Sequence, residues 1–438
     1  MHDDSRSPVR VPASPGASDT RGLRWILVTA GTGTFMTALN GSAVNTALPV
    51  IRLAFHTDVA TIQWIVTTYL LVVSALLLTF GRIGDQIGHR RVYLAGFAVF
   101  VGCSVLCGIA NSPAMMIAAR SLQGLGAAML FASGPAVVTR SCPPEQRGRA
   151  LGLLGAATYL GLTVGPSVGG WLTQSWTWRA VFYLNVPFGF AAMILAVRFV
   201  PPEPRTGSRR AATADGRPGA DEAGFDVAGA VLFALALVVL MLAFGRMSRG
   251  SSDLGGLAAL LGGAFVLLAA FIWRQHRAAA PLLDLSLFRD RLFSAAMISA
   301  TLNYVAVFCA TFVLPFYLIQ GRGLAPGAAG ALLTAQPLVM AVCTPLSGAL
   351  SDRIGSRLPS SLGMAILAGG LLLTSRLPDN APLAWVVAGL ALMGLGNGIF
   401  ASPNSSALMG AAPRHRQGIA SGVLATARNL GMMLGVGV

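Results

Sequence analysis

The decapeptides GRIGDQIGHR, residues 81–90, and GALSDRIGSR, residues 348–357, stand 267 positions apart and share a Gly, an acid, a second Gly and a closing Arg. Three further matches keep the same order at nearly the same offset. ALP at 47–49 answers VLP at 313–315, and GLGAAMLFAS at 124–133 answers GLGNGIFAS at 394–402. Gly161 and Gly165 answer Gly431 and Gly435, 270 positions on. One such match is weak in a chain with 52 glycines, but four in order indicate an internal duplication.

The duplicated material is apolar. Hydrophobic residues make up 54% of the 438 positions and charged residues only 11%, against about 25% charged in a soluble domain. Mean hydropathy is +0.68. Runs long enough to cross a bilayer, which takes about 20 apolar residues, fall near 25–48, 62–80, 92–110, 114–138, 150–172, 181–199, 227–244, 254–273, 294–318, 328–350, 359–375, 384–409 and 417–438. These thirteen runs predict an all-α polytopic membrane protein.

The expected organisation is a disordered cytoplasmic N-terminus over 1–24, a six-helix half over 25–199, a cytoplasmic loop with two extra spans over 200–293, and a second half over 294–438. The second half has no counterpart of 181–199. We therefore expect a fragment of a fourteen-span protein that lacks its last helix. Parallel halves related by an axis along the membrane normal suit a transporter with a site near the midplane.

Every one of the 31 basic residues is Arg, and the formal net charge is +15. Twenty-three of the arginines lie in one set of alternate loops and six in the other. By the positive-inside bias the N-terminus is cytoplasmic. Charge scattered through short loops does not make the single basic face that nucleic-acid binding needs. A chain without Lys cannot hold a G-x-x-x-x-G-K-[ST] nucleotide loop. No metal cluster, cofactor motif or nucleophile–base pattern is present, and we expect no enzyme. The five cysteines show no paired spacing and read as free thiols.

Two motifs carry more than hydropathy. GRIGDQIGHRR, 81–91, combines turn-forming glycines with Asp85, Arg90 and Arg91. GLLGAATYLGLTVGPSVGG, 152–170, sets Gly152, Gly161, Gly165, Pro166, Gly169 and Gly170 along one run. Small residues at four-residue spacing let membrane helices approach closely, and Pro166 frees a carbonyl and bends the helix.

These motifs are similar to the inter-helix signature and the antiporter motif of the major facilitator superfamily. Together with LNGSAVNTALP, RSLQGLGAA and WRAVFYLNVPFG, the chain resembles the fourteen-span drug:proton antiporter branch. The resemblance implies two six-helix halves with two central extra helices. It also implies a cytoplasmic charge cluster of Asp85, Arg90 and Arg147, with Asp352 as its echo in the second half. Gly152, Gly161, Gly165 and Pro166 would form a packing seam between the halves. Arg120 and Gln123 would belong to a span-4 signature linked to proton coupling. Two positions depart from the pattern: Asn40 stands where that branch commonly has Asp, and Gln86 where a basic residue is usual.

No acidic residue or His falls inside a predicted span. Asn40 keeps the hydrogen-bonding shape of a carboxylate but cannot titrate; it lines a cavity or bonds a neighbouring helix. Asn40, Asn45, Arg120, Gln123 and Arg428 are the candidate substrate or coupling residues. Asn303, Gln336, Asn397 and Asn404 are further polar groups for a cavity. The expected function is export of amphipathic small molecules, such as a drug or secondary metabolite, driven by the proton gradient, from a monomer in the inner cell membrane. The alternatives are a facilitator or exchanger of anions centred on Arg120, and a non-transporting sensor on the same scaffold.

Overall fold

A computed structural model describes residues 20–143, 146–202, 226–248, 253–278, 285–378, 380–412 and 417–437. The N-terminal segment expected to be disordered lies, up to residue 19, outside the described residues, as does most of the polar central loop.

Each of the thirteen apolar runs is helical. The first half comprises α1 (Thr20–Ala54), α2 (Val59–Ile87), α3 (His89–Gly108), α4 (Pro113–Ser141) and α5 (Arg147–Ser175), then a broken sixth passage of α6 (Ala180–Tyr183) and α7 (Asn185–Phe199). The two extra helices are α8 (Val227–Ser248) and α9 (Leu254–Arg277). The second half holds α10 (Arg291–Phe316), α11 (Pro326–Leu333) with α12 (Ala335–Ile354), α13 (Arg357–Ser375), α14 (Leu383–Ala411) and α15 (Gln417–Gly437). Among the described residues there is no strand. Eleven passages are long and apolar enough to span a bilayer. The other two, α1 and α15, are diluted by Thr, Gly, Asn and Arg, as helices packed against helices tolerate.

The duplication is visible in packing. In the first half α1 packs on α5, α2 on α4 and α3 on α4; in the second, α10 packs on α15, α12 on α14 and α13 on α14. The prolines follow the same plan, with Pro49 in α1 matched by Pro315 in α10 and Pro135 in α4 matched by Pro403 in α14. So do the turns of the decapeptides that revealed the repeat. Gly88 has φ 99° and Gly355 φ 82°, a region that favours Gly. Each amide closes its helix, Gly88 on the Gly84 carbonyl and Gly355 on the Ser351 carbonyl, both at 2.9 Å.

Helix faces away from the bundle stay apolar, with Phe265 73% and Leu346 67% exposed, as a lipid-facing surface requires. The extra hairpin α8–α9 leans on α2 and α15. Its ends are clamped by Asp226, which accepts from the Gly229 amide (3.0 Å), Arg274 Nε (2.9 Å) and Gln275 Nε2 (3.1 Å). Burial pushes the Asp226 carboxyl up, but these donors outweigh it and hold the group below the usual carboxylate range.

The halves meet at the end of the bundle that carries the α1–α2 turn. Ser167 of α5 and Thr334 beside α11 share a hydrogen bond of 2.7 Å, the Gly327 amide donates to Gln174 Oε1 at 3.0 Å, and Gln320 Nε2 donates to the Pro49 carbonyl at 3.0 Å. Gln63 of α2 donates to the Val436 carbonyl of α15. The bundle is closed at this end.

Candidate functional site

Inside this closure, at half the depth of α10 and α15, lies a cavity of about 340 Å³. Its polar wall includes Arg428, Tyr159, Asn303, Tyr304, Thr344 and Asn404. Tyr159 comes from α5, whereas the other lining residues come from α10, α12, α14 and α15. Tyr159 and Thr344 thus face the same cavity from opposite halves.

The lining residues include one cation, Arg428, and no acid. Arg428 Nε is buried without a hydrogen-bond partner among the described residues. An arginine deep in a membrane helix costs about 2.5–3.5 kcal/mol even with partial compensation, so the cation is expensive to keep. Asn404 is anchored, its Nδ2 donating to the Ala296 carbonyl at 3.0 Å. Asn303 Nδ2 donates to Met364 Sδ at 3.5 Å and leaves its Oδ1 unpartnered. Asn397 and Gln336 do not line the cavity; both are buried, and Asn397 donates to Met340 Sδ at 3.1 Å.

Arg120 does not border this cavity. It is 1% exposed and sealed among α2, α3 and α4. Its Nε donates to the Ile65 carbonyl at 3.1 Å, its Nη1 to Gln123 Oε1 at 2.6 Å, and its guanidinium lies 4.3 Å from the centre of the Tyr69 ring. Gln123 Nε2 donates onward to Ser104 Oγ at 2.7 Å. The chain from Ile65 through Arg120 and Gln123 to Ser104 pins three helices together. The backbone carbonyl and the ring face satisfy the cation in place of an acid.

Asn40 is likewise enclosed, with no exposed surface. Its Oδ1 accepts from Asn185 Nδ2 at 2.9 Å, which joins α1 to α7. Of the two roles open to it in the sequence, the structure shows the helix–helix contact. Asn185 was not singled out, although it sits in YLNVPFG within one of the quoted motifs. Asn45 is 5% exposed with an unpartnered Oδ1 and is not among the cavity residues.

The charge cluster at the opposite end differs from the expected set. Asp85 Oδ1 lies 2.7 Å from Arg140 Nη2 and 3.1 Å from His89 Nε2. Arg90 instead donates to the Val197 carbonyl at 2.7 Å, and Arg147 to the Cys142 carbonyl at 3.4 Å. The reason is the Gly88 turn, which folds the first residue of α3, His89, back onto Asp85 near the end of α2, while the end of α4 brings Arg140 alongside. The His89 hydrogen bond, with Arg140 and Arg82, holds the Asp85 carboxyl below the usual range against its partial burial. Asp352 is exposed and forms no ion pair with another described residue.

The glycine seam is split between two partners. A Cβ at Gly161 would meet the Phe35 carbonyl at 2.6 Å, one at Gly169 the Ala43 carbonyl at 2.6 Å, and one at Gly165 would collide with Ser42. All three belong to α1, so these glycines seal α5 within its own half. Pro166 and Gly170 face the other half, where the Pro166 carbonyl abuts Gly330 and Gly170 abuts the Pro326 carbonyl. Gly152, expected in the seam, meets nothing within 4 Å. Gly431 and Gly435 repeat the first arrangement against the Thr301 and Val305 carbonyls of α10.

Two repeated helical units around a half-depth cavity, closed at one end, are the architecture of a membrane transporter. The chain belongs to the Major Facilitator Superfamily, whose family model matches residues 30–436. It is 34% identical over 415 residues to the riboflavin transporter RibZ of Clostridioides difficile, covering 94% of this chain and 86% of that protein. It is 32% identical to the multidrug resistance protein Stp of Mycobacterium tuberculosis (94% and 74% covered). It is 30% identical to the tetracenomycin C resistance and export protein of Streptomyces glaucescens (100% and 78% covered). Among solved structures, a peptide transporter POT in complex with sulfate matches with a TM-score of 0.65 at 16% identity, covering 97% of this chain and 89% of that one. The protein is therefore a multi-pass membrane transporter.

Proposed function

We propose that this chain exports amphipathic small molecules, binding them in the cavity between α5 and the second half and releasing them by rocking of the two halves. The observation that carries the reading is the composition of the cavity wall: Tyr159 of the first half faces residues of the second across it, so relative motion of the halves remakes the site. The named functions of the Stp and tetracenomycin relatives support export. The arginine bias supports a cytoplasmic N-terminus, which places the closed end outside and makes this an inward-facing state of a monomer in the cell membrane. Proton antiport is the proposed driving force. With no acid lining the cavity, the inward proton is proposed to pass through the Asp85 cluster. An anion site at Arg120 is not supported, since that guanidinium is sealed and bonded to the Ile65 carbonyl and Gln123.

The test is a resistance profile. A strain lacking its own efflux systems, with and without this chain, is challenged with a panel of amphipathic compounds. The reading expects raised tolerance and lowered accumulation for a subset. Unchanged accumulation across the panel, with the protein present in the membrane, refutes it.

A further inference from the structure

The wall of the cavity carries one positive charge, several neutral hydrogen-bonding groups and two phenol rings, with no carboxylate to balance the charge. Arg428 has a buried, unpartnered Nε aimed at no described acceptor. Arg120, the other arginine within a span of the duplicated halves, shows how this fold neutralises a cation that has no ligand to meet: it is sealed against a carbonyl, an amide and a ring. Among the described residues no such carbonyl, amide or ring contact holds Arg428. A guanidinium left in a half-depth cavity with its Nε–H unpaired is set to meet an acceptor that arrives from outside, and a planar fork matches an anionic oxygen pair.

We infer that the cargo of this transporter is an aromatic organic acid, whose carboxylate, sulfonate or acidic phenol docks on Arg428 while its ring packs between Tyr159 and Tyr304. This deepens the export reading above and rests on it. The size agrees, since about 340 Å³ lies at the small end of ligand pockets, about 300–1,000 Å³. Asn303 Oδ1, also unpartnered, supplies an acceptor for a hydroxyl or amide on the same cargo.

The experiment uses one fluorophore in three charge states: dansylglycine (anionic), dansylamide (neutral) and N-(2-aminoethyl)dansylamide (cationic). Binding to the purified full chain is read by fluorescence, and uptake is read in inverted vesicles. The wild type should prefer dansylglycine to both others. Arg428→Gln should lose that preference, by about 10- to 100-fold, the range spanned by a charge-assisted hydrogen bond. Arg428→Lys, which keeps the charge, should retain part of it, and thermal unfolding of both variants separates a lost site from a lost fold. Equal binding of all three probes, preference for the cation, or an unchanged ranking in Arg428→Gln overturns the inference. Binding of none overturns it too. In each of these cases continued efflux of the compounds selected by the resistance profile leaves the export reading standing.

Discussion

A methyl group placed at Gly169 tests whether α1 and α5 are in backbone contact. The Cβ of Gly169→Ala would sit 2.6 Å from the Ala43 carbonyl oxygen, 2.7 Å from its Cα and 2.9 Å from its Cβ. Comfortable non-bonded separation is about 3.5–4.0 Å, so α1 must retreat by about 1 Å. All three obstructing atoms belong to helix backbone or to Cβ, and none can rotate away. Overpacking of this kind costs about 1–3 kcal/mol. Ala also returns about 1 kcal/mol of helix propensity relative to Gly. Gly152→Ala, in the same helix, receives that propensity gain and meets no neighbour within 4 Å. Propensity cancels when the two variants are compared, so Gly169→Ala should be less stable than Gly152→Ala by about 1–3 kcal/mol. The assay is unfolding of both proteins in the same detergent, by heat or by SDS titration. Equal stability of the two variants would refute the backbone contact and with it the assignment of Gly169 to the α1 seam.

Other substitutions separate roles that the sequence left together. Asp85→Asn removes the acceptor shared by Arg140 and His89; membrane insertion should be normal and transport slower, and an unimpaired rate removes Asp85 from the cycle. Because the folded Asp85 carboxyl is held low, its contribution is complete above the unfolded value of about 3.9 and is lost as pH falls through the folded value. Wild-type transport should thus keep its Asp85 latch at pH 5, and a wild type that behaves like Asp85→Asn by pH 5 argues otherwise. Arg120→Ala takes the donor from Gln123 Oε1 and the side-chain donor from the Ile65 carbonyl in a sealed site; a loss of about 1–3 kcal/mol should appear in unfolding as well as in flux, and lost flux at full stability would point to a direct role instead. Asn40→Asp puts a carboxylate against Asn185 in a closed contact, so it should lower stability without adding flux driven by a pH gradient; new gradient-driven flux in proteoliposomes would place Asn40 in the cavity after all.

The spans were legible because a bilayer imposes one strong rule on composition, and the thirteen runs are all helical. The duplication was legible because close packing and turns need Gly at fixed places: Gly88 and Gly355 sit at matching positive φ, and Gly161 and Gly431 meet matching carbonyls of α1 and α10. Side-chain partnerships were not legible. Asp85 sits in a cluster of arginines along the chain, but its partners are fixed by the Gly88 turn and the landing point of α4, which bring His89 and Arg140, while Arg90 and Arg147 bond backbone carbonyls. Arg120 and Arg428 look alike as arginines in apolar runs. Only packing distinguishes them, since three helices close around the first while the second faces a cavity. Tyr304 and Thr344 carry no signal that separates a wall residue from core in so apolar a chain.

Alternation of the two halves is the core of the account, and the Ser167–Thr334 bond at 2.7 Å marks where they must part. In a background with the five native cysteines replaced, Ser167→Cys with Thr334→Cys brings two thiols within reach of a disulfide, whose S–S length is about 2.05 Å. Efflux of a compound chosen by the resistance profile is then followed in vesicles before oxidation, after oxidation and after reduction, beside each single variant. The account predicts that oxidation stops efflux in the double variant alone and that reduction restores it; efflux at full rate from a fully cross-linked protein contradicts it.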